Sequence, residues 1–296
     1  MAKIRERAPW VRSTLVDRIE RVDLRVRDVG QSLAFYRDVV GLEVAAETDA
    51  RAELRAPGGP VFLTLQSAGV TEPADPRSAG LFHIAIRFPD RPSLGDALAR
   101  LANAEAAIGA GDHAVSEALY VDDPDGNGVE LYYDRPADQW PPPSGDMFVP
   151  MVTLPVDLQA LFAAGRGRAA LGGPAARGTD MGHVHLQASD LDATIRFYTE
   201  EIGLDLTARL GGQAGFFSSN VYHYHIGANT WNSRGSAPAS KNRAGLERIV
   251  FATDDREQLE RLRLRLAEYG RTVSGEEDGE AVVEDPNGIE LRFIEA

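Results

Sequence analysis

Two stretches decide the fold: ERVDLRVRDVGQSLAFYRDVVGL at residues 20–42 and GHVHLQASDLDATIRFYTEEIGL at residues 182–204. They align at an offset of 162 and keep Val22/Val184, Leu24/Leu186, Asp28/Asp190, Phe35/Phe197, Tyr36/Tyr198 and Gly41/Gly203. Two further pairs follow in the same order: GLFHIAI (80–86) with GLERIVF (245–251), and DGNGVELYY (125–133) with DPNGIELRF (285–293). Their offsets are 165 and 160. Three blocks in one order at nearly one spacing mean duplication, which fixes the architecture before any finer reading.

Within the first block, Val22, Leu24 and Val26 alternate with Asp23, Arg25 and Arg27, the period-two pattern of a strand. Asp28 or Asp190 then caps a helix. Its apolar stripe is Leu33, Phe35, Tyr36 and Val39, or Ile195, Phe197, Tyr198 and Ile202, and it ends at a glycine. Three short strand-like runs follow in each copy: LEVAAET, RAELRAP and VFLTLQS, or LDLTARL, GFFSSN and VYHYHIGANT. The order then repeats: strand HIAIRF with a helix bearing Leu94, Leu98 and Leu101, or strand RIVFAT with one bearing Leu259, Leu262 and Leu266. Asp254 and Glu257 have the spacing of a capping box, and Gly270 stands where that helix should stop. Each copy is thus two β-α-β-β-β units. Four such units predict an α+β protein with helices on one face of mixed sheets and the other face free to curve. The expected modules are 18–135 and 181–296. The linker between them, 136–180, is rich in Pro, Gly and Ala and contains one short helix at Leu158–Ala164.

Composition narrows the function. Of 296 residues, 43% are apolar and 26% charged, as in globular proteins. A net charge of −14 repels nucleic acid and anionic membrane surfaces. With no cysteine, any metal must be held by His, Asp, Glu or water. No stretch has the length of a membrane span and the N-terminus lacks the apolar core of a signal peptide, so a soluble cytoplasmic protein is expected.

Four of the six histidines form two pairs, His183 with His185 and His223 with His225. Residues two apart on a strand share a face, so each pair presents its imidazoles together. Glu290, in the last strand, could add a carboxylate. Two imidazoles and one carboxylate leave positions open for substrate and oxygen, as in non-heme Fe(II) oxygenases.

These blocks, together with DHAVSEALYVDDPDGNGVELYYDRP and YHYHIGANTWNS, resemble the vicinal oxygen chelate superfamily of glyoxalase I, bleomycin-resistance proteins and extradiol dioxygenases. The two-module catechol 2,3-dioxygenases are the most similar branch. The resemblance implies the glyoxalase/bleomycin resistance/dihydroxybiphenyl dioxygenase fold, a cup in each module, and a divalent metal within it: Fe(II) first, with Mn(II), Zn or Ni as alternatives. Carried over residue by residue, the family pattern puts ligands at His183 and Glu290. The second-unit ligand position is Arg248, which cannot ligate. His225 is therefore the expected third ligand, with His223 as an alternative ligand or acid/base, and Arg248 is expected to pair with an anionic substrate. Copy one keeps His83 and Glu130 but has Arg21 at the first-strand position, leaving Asp23, His83 and Glu130 as a weaker second site. His223 or His185 would shuttle protons, and Trp231 and Tyr222 are the remaining candidate substrate contacts. The leading expectation is an extradiol-type dioxygenase using O2 on a catechol-like aromatic or other vicinal-oxygen substrate, with no nucleic-acid or membrane partner and a homodimer allowed. The alternatives are a non-catalytic sequestering protein of the bleomycin-resistance type and a glyoxalase-type isomerase or lyase.

Overall fold

The computed structural model describes residues 13–145, 147–165, 173–253, 255–275 and 279–295. The first unit comprises β1 (Arg18–Arg25), α1 (Val29–Ala34), β2 (Glu43–Thr48), β3 (Arg51–Arg55) and β4 (Val61–Gln66). The second comprises β5 (Gly80–Phe88), α2 (Arg91–Asn103), β6 (Gly109–Asp112), β7 (Ser116–Asp122) and β8 (Gly128–Asp134). After α3 (Leu158–Ala164) comes the third unit: β9 (Asp180–Gln187), α4 (Leu191–Arg196), β10 (Asp205–Leu210), β11 (Ala214–Ser218) and β12 (Ile226–Asn229). The fourth has β13 (Gly245–Thr253), α5 (Arg256–Glu268), β14 (Glu280–Glu284) and β15 (Glu290–Glu295). Among the described residues no helix is long and apolar enough to cross a membrane.

The repeated block explains itself locally. The Asp28 and Asp190 carboxylates accept from the backbone N–H three residues on, capping α1 and α4. Both helices widen into a π turn, at Phe35–Val40 and Phe197–Ile202. Each turn is closed by a glycine in the left-handed region, Gly41 at φ 94° and Gly203 at φ 95°. Within each turn the tyrosine faces inward: Tyr36 donates to Asp123 and Tyr198 to Asp285, both at 3.1 Å. Asp123 Oδ1 also accepts from the N–H groups of Asp125 and Asn127, so the DGNG loop is a self-bonded turn. The cap of α5 is Asp255, which accepts from Gln258 N–H. Asp254, the expected cap, lies outside the described residues.

Two mixed sheets result. The seven-stranded sheet has the order β14-β15-β13-β1-β4-β3-β2 and the eight-stranded sheet β10-β11-β12-β9-β5-β8-β7-β6. Each combines one unit from each half of the chain, so neither sequence copy curls into a cup of its own. The reason is the seam. β1 runs antiparallel to β13 and pairs Val22 with Ile249 and Leu24 with Leu246. β5 does the same with β9, pairing Ile84 with Val184 and Leu81 with Leu186. Both seams bury apolar side chains from each of their strands, and burial of apolar area favours the pairing.

The segment read as a linker is more than a tether. Phe148 N–H donates to Thr207 O on β10, while Leu154 exchanges two backbone bonds of 2.8 Å with Asp112 on β6. Because β10 and β6 are the two edges of the eight-stranded sheet, residues 147–154 form a strap joining rim to rim. Its Phe148 and Val149 are buried with Val115, and Met147 and Met151 pack on the group of Phe216, Tyr224, Ala208 and Ala214.

Candidate metal centre

The eight-stranded sheet brings together residues from both halves. His83 on β5, Glu130 on β8 and His183 on β9 are buried and offer ligand atoms that all lie within 4.8 Å of one another. His183 Nε2 is 3.1 Å and His83 Nε2 2.9 Å from Glu130 Oε2. His83 Nε2 nonetheless makes no aligned hydrogen bond and is a buried nitrogen without a partner. Burial opposes the charge on Glu130, but the neighbouring His183 and then His83 outweigh it and hold the carboxyl well below its ordinary range. Burial pushes His183 down to about 4 against the pull of Glu130. An ionised carboxylate beside a neutral imidazole is the donor state a metal requires, and two nitrogens with one carboxylate oxygen suit Fe(II) or Mn(II). The residues present fit a divalent ion.

Around this centre lie further polar and aromatic groups. Tyr224 Oη is 3.0 Å from His183 Nε2. His185 stands with its ring centroid 5.0 Å from that of His83, and its Nε2 is buried without a partner. Burial, then the neighbouring imidazoles, hold His185 well below its ordinary pKa. His223 Nε2 lies 2.8 Å from Asp134 Oδ1, whose other oxygen accepts from Tyr222 Oη at 2.8 Å. Tyr222 is in turn 2.7 Å from Tyr132 Oη. At the outer end, Phe82 meets both His185 and Trp231 edge-on, at 5.2 and 5.5 Å between ring centroids. A groove of about 350 Å³ opens beside Phe82, His83, Tyr120 and Val129.

Several expectations need correction. The structure joins His183 not to Glu290 but to Glu130, because β9 pairs with β5 of the other half. Glu290 sits on the seven-stranded sheet, where Arg248 donates to it through Nε and to Asp23 through Nη1 at 2.9 Å. Arg248, engaged there by two carboxylates, is remote from any anionic substrate at the histidines. Asp23 is likewise absent from the group of His83 and Glu130, since it also accepts from Arg21 at 2.7 Å. His225 is turned away from the ligands: its Nδ1 meets Ser218 Oγ at 3.2 Å and Ser219 N–H at 3.4 Å. The strand alternation assumed for His223 and His225 fails because β12 begins only at Ile226. The preceding turn holds Asn220 and Val221 at φ 54° and 62°, a conformation that a β-branched residue adopts only under tertiary constraint. The sequence pattern offers His83 and His183 as ligands in different sets. It gives no role to Tyr120, Tyr224 and Asp134, although Tyr224 lies between His223 and His225.

Comparison with known proteins agrees with this architecture. The family model for the Glyoxalase/Bleomycin resistance protein/Dioxygenase superfamily matches residues 18–131 and 180–293. A Bacillus subtilis (strain 168) relative, catechol-2,3-dioxygenase, is 38% identical over 273 residues, covering 92% of this chain and 95% of its own. Among solved structures, one from Bacillus subtilis subsp. subtilis str. 168 superimposes with a TM-score of 0.62 at 12% identity, covering 95% of this chain and 86% of that one. Glyoxalase I from Zea mays gives 0.57 at 17% identity, covering 94% and 92%. By its doubled family match, the identity it shares with a full-length relative and its paired mixed sheets, the chain belongs to the glyoxalase/bleomycin resistance/dioxygenase superfamily.

Proposed function

We propose that the chain is a metal-dependent extradiol-type dioxygenase that opens the ring of a catechol-like aromatic, with the metal held by His83, His183 and Glu130. The observation that carries this reading is the convergence of two buried imidazoles and one buried carboxylate on a single point, in a chain similar over nearly its whole length to a catechol-2,3-dioxygenase. A bound Fe(II) would supply Lewis acidity toward two vicinal oxygens and the electrons for chemistry with O2.

The chain's own groups would do the rest. Glu130, kept ionised, offsets part of the ion's charge, and His183 stays neutral to donate. Tyr224 Oη and the partnerless His185 Nε2 flank the ligands and can exchange protons with a catechol hydroxyl. His223, braced through Nε2 by Asp134, keeps its other ring nitrogen uncommitted for the same work. Phe82, Trp231 and Phe216 offer ring edges to a flat substrate. The strap packs Met147 and Met151 over Phe216 and Tyr224. Tyr222, bonded to Asp134 and Tyr132, holds this polar corner rather than the substrate. Each copy read alone lacks a full ligand set, which favoured a sequestering protein, but the set formed across the halves removes that argument.

Anaerobically prepared protein should retain a divalent ion and consume O2 with catechol. His183→Ala should fall below about 0.1 metal per chain and lose oxygen uptake. A His183→Ala protein with full metal and turnover would end the proposal, as would metal-loaded wild type inert toward every catechol tried.

A further inference from the structure

The carboxylate of the candidate centre is itself held from behind. Tyr120, on β7, stands directly across from Glu130 on β8, so the two side chains share a face of the sheet, and its hydroxyl lies 2.7 Å from His113 Nε2. His113 Nδ1 is in turn 2.7 Å from the carbonyl oxygen of Val152, in the strap. A carbonyl only accepts, so Nδ1 carries the proton. Neutral His113 then accepts the phenol proton at Nε2. When charged it donates to the phenol oxygen, and the phenol proton turns to Glu130. In both states the phenol oxygen stays fixed between imidazole and carboxylate.

Consider what an ion does to this arrangement. Glu130 Oε2 is within 3.1 Å of both imidazoles, and an ion taking both nitrogens and a carboxylate oxygen removes those contacts. Tyr120, opposite Glu130 across the strand pair, is a neighbour that an ion does not displace. Ligating carboxylates held by an outer partner keep the orientation the metal needs, and loss of such a partner weakens binding.

We propose that Tyr120 is a positioning residue that fixes the Glu130 carboxylate for the metal, with His113 acting through Tyr120 and the strap acting through His113. The inference rests on the reading of His83, His183 and Glu130 as ligands. It makes residues 147–154 part of the metal site without any of them touching it.

Titration of metal-free protein with Co(II), followed by visible absorption, tests this without turnover. Tyr120→Phe should weaken Co(II) binding about 10- to 100-fold and alter the Co(II) spectrum, while thermal unfolding of the metal-free protein moves little. His113→Ala should weaken binding less, and the double variant should bind no more weakly than Tyr120→Phe alone. Unchanged Co(II) affinity and spectrum in Tyr120→Phe would overturn the proposal while leaving the metal site standing. Effects that add in the double variant would show that His113 does not act through Tyr120. Wild-type protein that takes up no Co(II) would remove the ligand reading and this inference together.

Discussion

Where β5 carries His83, β13 carries Arg248; where β9 carries His183 and His185, β1 carries Arg21 and Asp23; and Glu130 is matched by Glu290. All six histidines of the chain belong to the second and third units, and so to the eight-stranded side. On the seven-stranded side Arg248 lies between Asp23 and Glu290, Arg21 bonds Asp23, and Arg292 reaches Glu290 at 3.4 Å and Glu280 at 3.1 Å. A guanidinium there occupies a carboxylate that the other sheet leaves to imidazoles. Its planar donors satisfy both acidic groups without an ion, and its positive charge offsets part of theirs. One scaffold position thus carries a candidate metal ligand or an ion-pair partner according to a single residue type.

The sharpest way to break the comparison is to disable each carboxylate in turn. Glu130→Gln should lower metal affinity by about a hundredfold or more, since a neutral amide is a poor ligand for a hard divalent ion. Glu290→Gln should leave metal content unchanged, as elemental analysis of the two proteins would reveal. Loss of metal in Glu290→Gln would mean that the two sheets share one centre.

Acidification should separate the sheets next. Burial, reinforced by His223, holds His225 down to about 3 in the folded chain, against about 6.5 when unfolded. The unfolded state therefore takes up a proton first. The stability from neutral His225 is full above pH 6.5 and is lost as pH falls toward 3, amounting to about 2 kcal/mol by pH 5. Amide protection factors, with the intrinsic pH dependence of exchange divided out, should fall more between pH 7 and pH 5 in β9 and β12 than in β1 and β13. A uniform fall would contradict the asymmetry.

The smallest effect should be a symmetrical one. Tyr36→Phe and Tyr198→Phe each remove the donor to a buried aspartate, and each should cost about 1–2 kcal/mol in urea unfolding. Here the two halves are alike, so the losses should agree closely.

Much of this was legible in the residues. The duplication, the Asp28 and Asp190 caps, the four units and the short helix at Leu158–Ala164 all follow from spacing and propensity, which are local properties. Which unit pairs with which is not local. It depends on the β5–β9 and β1–β13 seams, and so the sequence pattern pairs Glu290 with a histidine that the fold gives to Glu130. The HYH string misled for a related reason: its alternation is broken by the left-handed turn at Asn220 and Val221. The strap was read as a linker because its prolines disfavour strands, and nothing in its composition shows that it spans the two edges of one sheet.

Because every sheet is a hybrid, a lone ancestral copy could have completed its cups only by associating with a twin, and the two would have been identical by symmetry. Covalent fusion ended that equivalence. Once the partners were encoded separately, one junction could carry arginine and the other histidine.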